Sequence, residues 1–242
     1  MDGKRMLQGK GFYLAAALAA AALVLGTSFP TREAGKALEA GTFYRLLKEA
    51  CGSQVVLFAL PAAAVLPYGD AYLREEQLGF IRFLLTRRTK RTYLLDKLVT
   101  VPLGGFLAWL AAELAVLLLY FAIFFGQEAT GGPNWDTISL LASAGLRLGL
   151  TAGILANVSA ALAALTKSVY MAYGLPFVIY YFLVILRERY LQGLYCISPQ
   201  EWILAEEYWG PGQAGLPLFL FTLLLATAAL HGLSLARSIR EV

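Results

Sequence analysis

This chain owns few side chains that could do bond-making chemistry. Its 242 residues include one histidine and two cysteines. His231 stands near the end of the last apolar stretch. A membrane-embedded serine protease would pair such a histidine with a serine in a GxSG turn. No GxSG occurs, and the nearest serine in a comparable stretch, Ser159 in NVSA, lacks the glycines. One histidine and two cysteines make no metal-ligand set at any usual spacing. The pairs Gly9-Lys10 and Gly35-Lys36 have Lys4 and Pro30 where the first glycine of a phosphate-binding GxxxxGK loop should stand. The chain is therefore read as no enzyme in its own right, with no catalytic residue and no metal.

What remains is charge placed in an apolar chain. The composition is 59% apolar and 15% charged, where a soluble domain is nearer half and a quarter. Apolar stretches of about 18 residues or more recur, enough to cross a hydrocarbon core of about 30 Å as helices. Alternating ten-residue strands are absent, which argues against a β-barrel. An all-α membrane protein of one domain, residues 1–242, is expected. Six spans are placed at 11–29, 54–69, 98–125, 138–165, 168–186 and 215–235. Pro61 and Pro67 make the second short and kinked or extended into its flanks. Lys4, Arg5 and Lys10 ahead of an Ala-rich run also fit a secretory signal; the run is read as a first membrane helix.

Glu113 and Arg147 fall inside the third and fourth spans. Antiparallel helices would put them about 18 and 14 Å below the same surface, close enough to pair. An isolated charge at mid-bilayer costs about 2.5–3.5 kcal/mol, so a partner or a wet cavity is expected. The pair reads either as a polar patch on a transport route or as a structural ion pair. Gly145, Gly149 and Gly153 repeat GxxxG on one face of the fourth span, a packing face for another helix of this chain or of a second subunit.

The densest charge is the block 70–97, DAYLREEQLGFIRFLLTRRTKRTYLLDK. It holds Arg74, Arg82, Arg87, Arg88, Lys90, Arg91 and Lys97, seven of the 20 Lys and Arg. Leu78, Ile81, Leu84 and Leu85 form one helical stripe, with Glu75, Glu76 and most of the arginines facing away. Such a helix lies at the membrane surface, as an anchor for anionic headgroups or as a dock for a partner. With the N-terminus inside, thirteen Lys and Arg fall on the inner side and six on the outer, which puts both termini in the cytoplasm. The net charge of +4 follows this topology and does not point to nucleic acid.

On the outer side fall Cys51 and Cys196, a possible disulfide or two separate thiols. Two outer segments, 30–53 and 187–214, are long enough for short surface helices. In the second, Trp202, Tyr208 and Trp209 suit the headgroup level.

The run EEQLGFIRFLLTRRTKRTYLLDK resembles the segment after the second helix of type-2 ABC-transporter permeases. Glu76, Gly79, Ile81, Leu84, Leu85, Thr86, Arg91 and Lys97 stand at the corresponding steps. Arg88 takes the usual proline position and Asp96 the usual glycine, so the making of the turn is left open. Six spans, inner termini and an elaborated last outer loop extend the similarity to most of the chain. The resemblance implies a permease subunit of an ATP-driven exporter in the plasma (inner) membrane of a prokaryote. A second permease subunit, identical or not, would complete the route. A separate ATP-binding cassette subunit would dock beneath and carry ATP and Mg. Glu75, Glu76, Gly79, Arg82, Arg87, Arg88, Lys90, Arg91 and Lys97 would form the ATPase-coupling segment. The cargo class would be amphipathic: a peptide antibiotic, a lipid-like molecule or a drug. An ion-coupled carrier or channel, and a membrane anchor or sensor subunit, are the competing readings.

Overall fold

A computed structural model describes residues 2–29, 38–128 and 135–240. Its elements are helical: α1 Asp2–Gln8, α2 Lys10–Leu25, α3 Thr42–Cys51, α4 Gln54–Val65, α5 Ala71–Gln77, α6 Phe80–Arg87, α7 Lys90–Phe124, α8 Trp135–Thr166, α9 Val169–Arg189, α10 Pro199–Leu204 and α11 Gly215–Arg240. Among the described residues the only bridge between extended segments joins Leu38 to Glu128. Four helices, α7, α8, α9 and α11 with the turn before it, are long and apolar enough to cross a membrane. There are six if each of two bent pairs is one span: α1 with α2, at 53°, and α3 with α4, at 66°.

The centre is α8. Of its most apolar stretch 78% is buried, against 33%, 22% and 28% for α7, α9 and α11. Its sequence explains the place. GLRLGLTAGILANVSAALAALT is dominated by Gly, Ala, Ser and Thr, and small side chains let backbones approach closely where no water drives helices together. A Cβ on Gly149 would lie 2.6 Å from the Phe106 ring, and one on Gly153 3.2 Å from the Pro102 carbonyl. The glycine face is therefore spent on α7 within the chain.

The second stretch is short, as its prolines suggest, and it adjoins a bent N-terminal flank rather than running on to residue 69. Helix α4 ends at Val65 and residues 66–70 are turns, so the stretch 54–69 is not one helix. At 12 residues α4 is about 18 Å long, too short by itself to cross a hydrocarbon core of about 30 Å. Ser53 makes the corner: its Oγ accepts the Val56 N–H at 3.3 Å and starts α4 afresh. Helix α3 is expected at the surface but is built into the core. Phe43, Leu46, Leu47, Ala50 and Cys51 recur at helical spacing and all are buried. Gly41 supplies no capping side chain; the Glu128 carboxylate accepts from the N–H groups of Gly41 and Phe43 instead, at 2.9 and 3.1 Å. Residues 30–37, the first part of the expected outer helix, lie outside the described residues.

Candidate functional site

The charged block folds as an elbow, α5 then α6, broken at Gly79. Gly79 has φ +70°, a left-handed conformation that suits glycine. The break divides the expected stripe. Ile81 is buried, with Leu84 and Leu85 packed beside it against Tyr72, Tyr93, Ala164, Leu235 and Ile239. Leu78 lies at the break and is exposed, as are Phe80 and Phe83. A single interfacial stripe from Leu78 onward is thus replaced by an inward stripe and an outward apolar patch. Arg82, Arg87, Lys90 and Arg91 are exposed around that patch.

The turn from α6 to α7 needs no proline. Arg88 is extended, at φ −138° and ψ 146°, and Thr89 caps α7 by accepting the Thr92 N–H at 3.3 Å. Arg88 Nη1 donates to Asp96 Oδ2 at 2.5 Å. The two positions that depart from the permease pattern are thus partners of each other.

Glu75 and Lys97 turn inward, away from any docking face. Lys97 is wholly buried. Its Nζ lies 2.8 Å from Glu75 Oε1 and 3.2 Å from Asp2 Oδ2, donates to Tyr68 OH at 3.4 Å, and sits over the Tyr68 and Tyr93 rings at 4.7 and 5.5 Å. The Tyr93 hydroxyl donates to Glu75 Oε2 at 2.7 Å. Buried charges need such company, because desolvation of each ion is offset only when its remaining sites are also satisfied. The neighbouring Glu76 faces the turn after α8, 3.5 Å from Lys167 Nζ. Tyr72 OH and Ser238 Oγ, 2.8 Å apart, tie α5 to α11. The elbow is therefore fastened to α1, α7, the α8–α9 turn and α11. Asp2, Tyr68 and Tyr93 join the cluster around Lys97 although their positions in the sequence do not single them out. The signals available are an acid in the first turn of a basic helix, a tyrosine two residues before the block and a tyrosine within it.

Glu113 and Arg147 do not pair; among the described residues no ion pair joins them. Glu113 lies against Gly145, where a Cβ would come within 2.2 Å of its Oε2. Arg147 is two residues further, about 200° around α8, and points the other way. Its Nε donates to the Ile203 carbonyl at 2.9 Å and Nη1 to Ser143 Oγ at 3.4 Å. Glu113 accepts instead from Cys51 Sγ at 3.5 Å. Cys51 is thus held inside the bundle, and both it and Cys196 are free thiols: of the two readings left open, the separate thiols hold and the disulfide is not formed.

The segment 187–214 packs as a cap on α8 and α11. Trp202 and Trp209 are buried in it, with Leu216 and Leu220; of the three aromatics expected at headgroup level only Tyr208 is exposed. Glu201 Oε1 holds the cap by accepting from the Glu207 N–H and the Trp209 indole, at 2.8 and 3.2 Å. Among the described residues no group of three His, Cys, Asp or Glu side chains is placed to hold a metal.

Residues 15–203 match a family described as "Protein of unknown function (DUF2705)", and the chain belongs to it. No curated protein matches the chain in sequence.

Proposed function

We propose that this member of the family is the membrane-spanning permease subunit of an ATP-driven ABC exporter. One observation carries the reading. The elbow α5–α6 presents an exposed patch of Leu78, Phe80 and Phe83 ringed by basic residues, and its other side is fastened to four parts of the bundle. A surface built this way converts a push from a docked partner into movement of the helices. Mechanically it is a two-state element biased by a bound protein. The partner is an ATP-binding cassette subunit that supplies ATP and Mg. The basic rim faces its acidic surface, and Phe80 and Phe83 enter an apolar groove there. The resemblance in Glu76, Gly79, Ile81, Leu84, Leu85, Thr86, Arg91 and Lys97 supports the same reading.

In this reading each bent pair is one span, giving six, with both termini and the elbow in the cytoplasm of a prokaryote. A second permease subunit completes the route, and the cargo is amphipathic. The test is reversal of Arg82, Arg87, Lys90 and Arg91 to glutamate. Arg88 is left alone because Asp96 holds it. The variant should insert in the native orientation, checked by cysteine accessibility at both ends, yet lose the ATPase on purification and lose transport. Retention of the ATPase and of transport by a correctly oriented variant rejects the docking role.

A further inference from the structure

A cavity of about 320 Å³ opens between α3, α7 and α8. Tyr44, Phe106, Leu110 and Ile138 line it, with Gly145 and Glu113 at one wall. Its lining is apolar except for that carboxylate and the hydroxyl of Tyr44. Glu113 is only 7% exposed. One oxygen accepts the Cys51 thiol, and the other has no hydrogen bond among the described residues. Arg147, two residues past Gly145 on α8, points away and is engaged by Ile203 and Ser143. A second cavity, about 420 Å³, lies along the same α7–α8 groove beside Pro102, Gly149 and Gly153 and shares Phe106 and Leu146 with the first. The lining of the second includes no charged residue.

We infer that this groove is a binding site for a lipophilic organic cation, its charge on Glu113 and its apolar body along α7 and α8. The volume falls in the range of small-molecule sites, roughly 300–1,000 Å³, and an apolar cleft with one well-placed polar group is their usual form. Charge complementarity selects the occupant. A neutral chain would gain nothing from the carboxyl beyond apolar contact, and an anion would be repelled by its ionised form. A cation pairs with that form. Gly145 is what makes room, since any side chain there would displace the carboxylate. The site stands on the α3–α7–α8 geometry alone and does not depend on an ATPase partner.

The test uses the full chain, with any subunit that co-purifies, in phosphatidylcholine nanodiscs, titrated with radiolabelled tetraphenylphosphonium. Saturable binding at one site per chain is expected. Glu113→Gln should weaken it at least about tenfold, the loss of one desolvated ion pair, while Glu113→Asp keeps most of it. Ala142→Phe, which fills the cavity mouth without removing the carboxylate, should also abolish binding. Melting curves of all three variants close to that of the unmodified chain establish that they fold. No saturable binding to the unmodified chain overturns the site. Equal affinity in Glu113→Gln overturns it too, because the occupant would then be an acyl chain held by apolar contact.

Discussion

Two buried charges in this bundle live in opposite ways. Lys97 has two carboxylates, a tyrosine hydroxyl and two aromatic rings around its ammonium. Glu113 has one thiol and a cavity. Both cost desolvation. At Lys97 the chain itself supplies every partner, drawing them from α1, the turn after α4, α5 and α7, so the charge serves as a rivet. At Glu113 one oxygen has no hydrogen bond among the described residues and the carboxylate borders apolar space, so the charge serves as a receptor. A buried ion that is fully satisfied reports on architecture, and one that is half satisfied reports on a ligand.

The largest effect should come from pulling the rivet. Lys97→Met leaves Asp2 and Glu75 buried without a counter-charge and should cost about 3–5 kcal/mol of stability, read as a lower melting temperature or lost folded yield. Adding Glu75→Gln should recover part of the loss. A melting temperature unchanged by Lys97→Met would mean that the cluster is hydrated and carries no tie. Next in size is Gly145→Leu. Its side chain must displace Glu113, and overpacking of this kind costs about 1–3 kcal/mol; the same assay reads it, and full stability would place the carboxylate elsewhere.

A smaller effect belongs to the elbow's outer edge. Arg88 and Asp96 are partly exposed, so a double-mutant cycle to alanine should give a coupling of only about 0.2–1 kcal/mol, shrinking as salt is raised. A coupling above that range would make the turn itself a rigid joint. Smallest of all is the expected effect of Glu113→Gln on stability, under about 1 kcal/mol, since the amide keeps the shape. A large loss there would make Glu113 a second rivet and erase the contrast with Lys97.

Much of the architecture was legible along the chain. Hydropathy located α7, α8, α9 and α11, and the GxxxG repeat located the face on which α7 rides. The block 70–97 was legible as a distinct unit because its charge density has no equal elsewhere in the sequence. What the chain did not disclose was rotation. Depth along a helix adds up at 1.5 Å per residue and tolerates errors at the ends, whereas facing turns through 100° per residue. So Glu113 and Arg147 were placed at matching depths but face opposite sides of α8. For the same reason Glu75, one residue before the motif glutamate, is the one that meets Lys97: Gly79 resets the helix phase. The buried Trp202 and Trp209 were hidden differently. Their partners, Glu201, Leu216 and Leu220, become neighbours only after 187–214 folds back over α8. Asp2 was the least visible, since its partner stands 95 positions away.

The proposed coupling role is most directly tested at the tip of the elbow. A photoreactive amino acid replaces Phe83, on the outward patch, and in a parallel chain Leu118, on the exposed apolar side of α7. Both are irradiated in native membranes. Crosslinking from position 83 to a soluble protein carrying a GxxxxGK loop, with only lipid captured from 118, is the predicted result. Lipid captured from both positions, and no protein from 83, would contradict the account and leave the elbow as a membrane-surface anchor.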